Sequence, residues 1–401
     1  MWTSKFWLVL GAAAFILLAG VLVGTFLKSP GSYEALQYFD RDFLNQAAAY
    51  QRIATFALVA KQLLMWGFLI VLAAVIGTSP STRLPLSLLP AAGYIALIVF
   101  ALSLLTFPLD YFRGFVLEHR FGLSQQAFGA WMADYAKSFS ISFVLTVFAL
   151  LGLYLLMIRF PGKWWPIAGV FVLFFMVLSA YLYPLIVDPL FYNFRTLENE
   201  ELRLGILQMA DEAGIKVEEV LVADASRRTN KVNAYFAGLG RTKRIVVYDN
   251  LLNRFTPEET LAVIAHEMGH WKHSHIPKGM FLSAAGIFLG LFILQKLLDG
   301  MGVGTGPQVL ALALLFFTFF SFVSLPFQNA LSRSFERQAD REALYLTGGD
   351  ASTFVTLEQN LARANLAEVD PHPFVKLVLY THPPVLERIE LALREAEKYG
   401  L

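Results

Sequence analysis

The sequence predicts a mainly α-helical integral membrane protein with about seven transmembrane helices and a small α/β domain. Of its 401 residues, 56% are apolar and 16% are charged, and the mean hydropathy is +0.55. Soluble proteins carry about 25% charged residues, so the composition argues against a water-soluble enzyme. The apolar residues also fall in long runs, as a helix needs about 20 of them to cross a bilayer.

Seven runs are long and apolar enough to span a membrane: 6–27, 56–76, 86–107, 139–158, 165–187, 281–298 and 309–331. The first is longer than the apolar core of a signal peptide and no small-residue cleavage site follows it, so we interpret it as a retained span. The last two are also compatible with buried core helices.

Lysine and arginine residues between the spans predict the orientation in the membrane. The segments after the first and third spans carry Lys28, Arg41, Arg52, Arg113, Arg120 and Lys137. The opposite side carries Lys5, Arg83, Arg159, Lys163 and Lys296. This modest bias places the amino terminus outside, and the segment 188–280 and the carboxyl terminus in the cytosol.

The polar segment 188–280 has the pattern of a small α/β unit. Residues 202–213 are typical of a helix and 217–223 of a strand, while 231–237 and 244–248 alternate as in a hairpin. A second polar region, 332–401, is predicted to be helical with breaks at proline and glycine. We therefore divide the chain into a five-span domain, 1–187, and a second domain, 188–401, that contains the last two spans.

Charge balance and cysteine content exclude several functional classes. Lys and Arg total 32 against 31 Asp and Glu, so no nucleic-acid partner is expected. The chain has no cysteine, which excludes disulfides, a thiolate nucleophile and a metal site with cysteine ligands.

A strong helix start lies at Thr256. Thr256 is suited to the N-cap, Pro257 to the first helical position, and Glu259 completes a capping box. A helix that begins here carries His266 and His270 one turn apart on one face.

This spacing lets His266 and His270 bind one metal ion, with Glu267 beside a water molecule at that ion. The alternative is a pair of ordinary helical histidines. His273 lies seven residues from His266, about 10.5 Å along a helix, and is therefore too distant to share the ion. We interpret His273 and His275 as polar residues near the membrane surface.

A third ligand is predicted just after the seventh span, where Glu336 and Asp340 are one turn apart. Glu336 would complete a His2Glu site, and Asp340 would accept a hydrogen bond from a ligand imidazole. The alternative is a solvated charged helix, since Arg333, Arg337 and Arg341 lie on the same segment.

Two further stretches carry candidate site residues. His382 precedes two prolines and Arg388 follows on a predicted helix, so either could stabilise an oxyanion beside the metal; an ordinary loop before a helix is the alternative. Asn233, Ala234 and Tyr235 belong to a strand that a substrate peptide could extend, although an internal hairpin strand is the simpler interpretation.

Taken in order, these motifs resemble the M48 family of zinc metallopeptidases, and in particular the Ste24-type CAAX prenyl proteases. The matching segments are 233–238, 266–270, 336–340 and 382–388. The family's loop after the third span is matched by Phe107, Pro108, Tyr111, Phe115, Glu118, Phe121, Gly122, Gln126, Asp134 and Lys137. Smaller M48 proteases of the HtpX type lack the five-span half, so the resemblance covers nearly the whole chain.

The resemblance implies one zinc ion per chain and seven helices around an intramembrane chamber, with a zincin-like catalytic domain on the cytosolic side. The implied site residues are His266, His270 and Glu336 for zinc, Glu267 as the general base, Asp340 beside a ligand, and His382 or Arg388 at the transition state. The implied substrates are prenylated CAAX-type peptides or other hydrophobic peptides at the membrane. Membrane lipid is an expected partner, and no obligatory protein partner is indicated.

The short linkers and the carboxyl terminus, which has no retention signal for the endoplasmic reticulum, favour a prokaryotic protein of the inner or plasma membrane; a eukaryotic one would lie in the endoplasmic reticulum. Because prokaryotes normally lack farnesylated CAAX proteins, a quality-control metalloprotease without lipid preference is an alternative. A transporter or channel is disfavoured by the few charges within the spans, with Lys61 as an exception. A pseudoprotease is disfavoured by Glu267.

Overall fold

The computed structural model describes residues 2–27, 31–77, 87–215, 217, 219–238, 244–302, 306 and 308–399. Within them, seven helices are long and apolar enough to cross a membrane, which confirms the predicted fold class. The helices are α1 (Trp2–Leu27), α2 (Arg41–Gly77), α3 (Leu88–Tyr111), α4 (Glu118–Arg120), α5 (Phe128–Arg159), α6 (Trp164–Leu182), α7 (Glu200–Glu212), α8 (Asp249–Arg254), α9 (Pro257–Lys272), α10 (His275–Met301), α11 (Gln308–Leu346), α12 (Ala351–Asn365), α13 (Pro373–Leu379) and α14 (Val385–Tyr399).

Several membrane helices extend well beyond the predicted spans. Helix α2 begins at Arg41 and α5 begins at Phe128, so Arg41, Arg52 and Lys137 lie in helices rather than in loops. The apolar run thus marks the part of a helix that is apolar enough to cross a bilayer, and polar residues continue the same helix beyond it. Some residues used in the predictions lie outside the described part of the chain: Lys28, Arg83, Leu86 and Glu218.

The main membrane core forms where α1, α2, α10 and α11 meet. Trp66 of α2 is fully buried there, and its ring makes edge contacts with Phe319 at 4.9 Å and Phe322 at 5.3 Å between centroids. Helix α6 adds Trp164 and Ala168 to this core. Its Phe171 and Phe174 are largely exposed, as expected of side chains that face lipid.

A four-stranded sheet, with strands β1 (Phe194–Thr196), β2 (Val220–Ala223), β3 (Ala234–Ala237) and β4 (Arg244–Tyr248), lies beside the helices. The strand order is β1-β2-β4-β3; β2 and β4 are parallel and the other two pairs are antiparallel. β3 and β4 pair as the predicted hairpin does, and the order places β3 at an edge of the sheet. One face of the sheet packs against α7 and α9.

Helices α9 and α11 approach each other closely at Gly269. A Cβ atom at this position would lie 2.8 Å from Ala339 Cα and 3.0 Å from its carbonyl oxygen, which is closer than real contacts allow. Helix α11 is continuous over 39 residues, so the predicted span 309–331 and the charged segment after it form one element. Glu336 is therefore carried on a rigid helix to the face of α9.

Candidate metal centre

The predicted start of α9 is confirmed in detail. Thr256 Oγ1 accepts a hydrogen bond from the Glu259 backbone N–H at 3.2 Å, and Glu259 Oε2 accepts one from the Thr256 N–H at 2.9 Å. Asn360 donates to Glu259 Oε1 at 2.6 Å, which joins α9 to α12. The helix that begins here directs His266 and His270 to the same side.

The structure brings together the three predicted ligand residues. One ligand atom each of His266, His270 and Glu336 lies within 4.8 Å of the other two. The two Nε2 atoms are 3.1 Å apart, and Glu336 oxygens lie 3.2 Å from His266 Nε2 and 3.5 Å from His270 Nε2. His266 and Glu336 are buried, so few water molecules can compete for these atoms.

This donor set fits a metal ion. Glu336 Oε2 is buried and, within the described residues, accepts no hydrogen bond. The two facing imidazole nitrogens cannot both be acceptors without a positive group between them. Two imidazoles and a carboxylate are the protein ligands of many zinc hydrolase sites, which leave the fourth position open.

Asp340 lies where it was predicted, beside a ligand imidazole. It is fully buried and accepts a hydrogen bond from His266 Nδ1 at 2.8 Å. Arg388 binds the same carboxylate through two nitrogens, at 2.6 and 3.0 Å. The other side of the guanidinium contacts Glu358 at 2.8 Å. Arg388 thus binds two carboxylates, although it also lines the cavity beside the site.

The alternative interpretation of this segment as a solvated charged helix is wrong. Glu336, Asp340 and Arg333 are all buried, with 5%, 0% and 6% of their surface exposed. Arg341 does lie at the surface, where it pairs with Glu395 at 2.9 Å. The helix therefore has one buried polar face and one solvated face, which residue types alone do not distinguish.

The surrounding charges shift the pKa values of the site. Burial alone would lower the pKa of His266, but the nearby carboxylates of Asp340 and Glu336 outweigh it and raise that pKa to about 10. For Glu267, burial raises the pKa above its usual value, while the nearby His266 and His270 oppose the rise. A carboxyl group with a raised pKa holds a proton more readily, as a group that accepts and returns a proton must.

His275 was predicted to be a polar residue near the membrane surface, with no part in the site, but it contacts a predicted ligand. It is buried, its Nδ1 lies 3.0 Å from His270 Nδ1, and its Nε2 lies 3.2 Å from Gln338 Oε1. Its ring stacks on Phe335 with the centroids 4.3 Å apart. His275 therefore supports a predicted ligand from behind.

The link between α9 and α10 explains the position of His275. Ser274 adopts a left-handed conformation with φ of +54°, which is unfavourable for a residue other than glycine. This conformation separates α9 from α10 and places His275 beside His270. The contact between His270 and His275 depends on this break between the two helices, and the sequence analysis did not identify the break. His273, by contrast, points to Glu342 at 3.2 Å and is not among the three clustered ligands.

A cavity of about 350 Å³ opens beside the cluster of His266, His270 and Glu336. Its lining includes His266, Glu267, Glu358 and His382 together with Asn233 and Ala234 at the beginning of the edge strand. His382 is exposed, and its Nε2 lies 3.3 Å from Glu336 Oε2. The side chain of Tyr235 points elsewhere, since its hydroxyl donates to Asp188 at 3.1 Å. Glu358 was missed in the sequence because nothing near residue 358 indicates a site.

The fold and the site define a membrane-embedded metalloendopeptidase. The chain belongs to peptidase family M48: the model of that family matches residues 196–396, and a second model, described as the CAAX prenyl protease N-terminal region with five membrane helices, matches residues 44–193. The predicted family resemblance is thereby confirmed.

Known relatives agree with this assignment. An uncharacterized metalloprotease of Bacillus subtilis, YhfN, is 34% identical over 78% of this chain and 75% of its own length. CAAX prenyl protease 1 of Saccharomyces cerevisiae is 29% identical over 72% of this chain and 68% of its own. The crystal structure of S. mikatae Ste24p superposes with a TM-score of 0.79 at 24% identity, and covers 96% of this chain and 98% of that one.

Proposed function

We propose that this chain is a zinc-dependent endopeptidase with one zinc ion per chain, bound by His266, His270 and Glu336. The convergence of these three side chains from α9 and α11 carries the proposal. Two imidazoles and one carboxylate on rigid helices leave room for a water molecule and a peptide carbonyl group.

Each further residue of the cleft has a proposed role in hydrolysis. When bound, zinc would polarise the scissile carbonyl group and acidify a water molecule. Glu267 takes the proton of the attacking water and delivers it to the leaving amine. His382 is exposed beside Glu336 and can donate to the developing oxyanion. Arg388 is held by Asp340 and Glu358, so we assign it to orienting Asp340 and, through it, His266.

The edge strand β3 is the proposed binding site for the substrate backbone. Asn233 and Ala234 line the cavity, and an extended peptide could pair with this edge by strand addition. Tyr235 would take part through its main chain only, because its side chain lies on the other face of the sheet. Apolar residues such as Leu361 in the lining favour a hydrophobic substrate side chain.

The proposed substrates are prenylated CAAX-type peptides or other hydrophobic peptides at the membrane. Relatives that carry the name CAAX prenyl protease support this, as does the apolar lining of the cavity. We retain the division into 1–187 and 188–401, and an orientation with the amino terminus outside and the catalytic side in the cytosol. A prokaryotic inner or plasma membrane is the proposed location.

A cleavage assay with Glu267→Gln tests the proposal. Purified protein in liposomes is given a prenylated CAAX peptide and the same peptide without its lipid, and products are read by mass spectrometry. We expect wild type to cleave, a chelator to abolish cleavage, and Glu267→Gln to lower kcat by about 10²–10⁴-fold while zinc is retained.

Glu258→Gln is the matched control, because Glu258 is exposed on the same helix and should leave kcat unchanged. Full activity of Glu267→Gln with zinc retained would contradict the assignment of the base. Equal cleavage of the two peptides would favour a quality-control protease without lipid preference.

A further inference from the structure

Helix α11 carries four polar side chains on one buried face. Asn329, Arg333, Glu336 and Asp340 are spaced by three or four residues, which places them in a row along the helix, and each is at most 6% exposed. Glu336 and Asp340 belong to the metal centre. Asn329 and Arg333 lie before them in the row and have no place in the proposed hydrolysis.

Both of these side chains bind the main chain at the end of α13. Asn329 Nδ2 donates to the Val378 carbonyl at 2.6 Å. Arg333 Nη1 donates to the carbonyls of Lys376 at 2.9 Å and Tyr380 at 2.5 Å. The last carbonyl groups of a helix lack partners within it and carry partial negative charge, so a buried guanidinium suits them well.

Arg333 makes no ion pair in the part of the chain that the structure describes. No described carboxylate lies within 4.0 Å of its nitrogens. Arg388, on α14, contacts two carboxylates instead, those of Asp340 and Glu358. A charge at a buried position is costly unless its donors are satisfied. The buried guanidinium of Arg333 is therefore stabilised by two carbonyl groups, that of Lys376 in α13 and that of Tyr380 directly after it.

Helix α13 is also held from the opposite side by α1. Gly20 lies against the ring of Phe374 and Gly24 against His372, so closely that a Cβ atom on either glycine would overlap these side chains. The short helix is thus enclosed between α1 and α11. The contacts with α1 hold its amino end, and the hydrogen bonds from Asn329 and Arg333 hold its carboxyl end.

The anchored end of α13 leads directly to His382. The Tyr380 carbonyl is bound by Arg333, and two residues later His382 Nε2 lies 3.3 Å from Glu336 Oε2. Two prolines follow His382 and limit the conformations of the loop. Arg333 and Glu336 are about one turn apart in the same helix, so loop anchor and metal ligand share one rigid frame.

We propose that Arg333 is a positioning residue for His382: by binding the carbonyls of Lys376 and Tyr380, it holds the His382 imidazole at the edge of the cleft. This inference rests on the proposed function, in which His382 stabilises the transition state. It assigns Arg333 an effect on kcat that acts through another side chain.

A double-mutant cycle tests the inference. We expect His382→Ala to lower kcat by about 10²-fold and Arg333→Met to lower it by about 10-fold or more, with KM and zinc content little changed. In the His382→Ala background, Arg333→Met should have no further effect on kcat, because the group it positions is gone. Arg333→Lys keeps the charge and one donor and should recover part of kcat.

Arg337→Met is the matched control on the same helix and should leave kcat unchanged. Equal effects of Arg333→Met in both backgrounds would overturn the inference, and so would a silent His382→Ala. Failure of wild type to cleave, or full activity of Glu267→Gln with zinc retained, would instead overturn the proposed function.

A readout without substrate separates anchoring from chemistry. Hydrogen exchange of the amides of residues 377–382, measured by mass spectrometry, should rise at least 10-fold in Arg333→Met and stay unchanged in Arg337→Met. Unchanged exchange in Arg333→Met overturns the inference whatever the activity shows.

Discussion

The two imidazoles of the proposed metal centre are held by different kinds of partner. His266 donates its Nδ1 proton to a buried carboxylate, Asp340, which Arg388 binds from the other side. His270 instead contacts a neutral imidazole, His275, through its Nδ1. The first support brings negative charge and makes the ligand more basic, whereas the second only orients it.

The contact with His275 still determines which ring nitrogen of His270 faces the proposed metal ion. His275 Nε2 lies 3.2 Å from Gln338 Oε1, which can only accept at that atom. The proton of His275 is therefore on Nε2, and its Nδ1 accepts from His270 Nδ1. The lone pair of His270 Nε2 then points at the same space as that of His266. Both supports trace back to α11, through Gln338 and Asp340.

Replacing Glu336, the carboxylate that both imidazoles face, should lower zinc affinity more than replacing Asp340 or His275. We expect Glu336→Gln to lower zinc affinity by about 10³-fold or more, since it removes the only charged ligand, and to reduce bound zinc from one per chain to near zero after dialysis. Elemental analysis measures this. Glu342→Gln, on the same helix and paired with Lys272 at 2.6 Å, is the control. Full zinc content in Glu336→Gln would move the third ligand elsewhere.

Loss of the charged partner Asp340 should lower zinc affinity more than loss of the neutral partner His275. Asp340→Asn keeps the shape of the side chain but removes its charge and leaves Arg388 with Glu358 alone. Because such supporting groups are worth 10–100-fold in metal affinity, we expect a loss of about 100-fold, measured by competition with a chromogenic chelator. A loss below that of His275→Phe would refute the proposed difference between the two imidazoles.

Replacing the neutral support should have a smaller effect. His275→Phe can keep the stacking on Phe335 but cannot accept the proton of His270, so we expect zinc affinity to fall by about 10-fold. His273→Phe provides the control, since His273 points away to Glu342 and should leave affinity unchanged. The same competition assay compares the two variants.

The pH dependence of zinc binding tests the role of Asp340 beside His266, and here the expected effect is the smallest. The pKa of His266 is raised to about 10 by its carboxylate partners, so without metal this imidazole is protonated at neutral pH. Zinc must displace that proton; affinity should therefore fall up to tenfold for each pH unit between pH 9 and 7. Titration calorimetry in two buffers should find about one proton released from His266, and fewer in Asp340→Asn. An equal count in both would contradict the role of Asp340.

The sequence was sufficient where the signal is local. The capping residues Thr256 and Glu259 and the spacing of His266 and His270 all lie within one helix, and the structure has them as predicted. The apolar runs located all seven membrane helices for the same reason, although not their polar ends.

The sequence was insufficient where a role depends on distant partners. Glu358 contacts Arg388 from 30 positions away, and Arg333 binds carbonyls more than 40 positions away. Backbone acceptors leave no trace in residue types, so Arg333 had the appearance of a surface charge. The contact of His275 with His270 was missed because the unusual conformation of Ser274 has no clear sequence signal.

The continuity of α11 has a consequence for how substrates are selected. At 1.5 Å per residue, Glu336 lies only about 8 Å beyond the end of the predicted apolar run at residue 331. The helix is continuous between these two positions. If Glu336 binds the catalytic zinc as proposed, the site of cleavage would lie at a fixed distance from the apolar part of the helix. Peptides would be sorted by the length of chain between their membrane anchor and the bond to be cut, and a thicker or thinner bilayer would change which lengths fit.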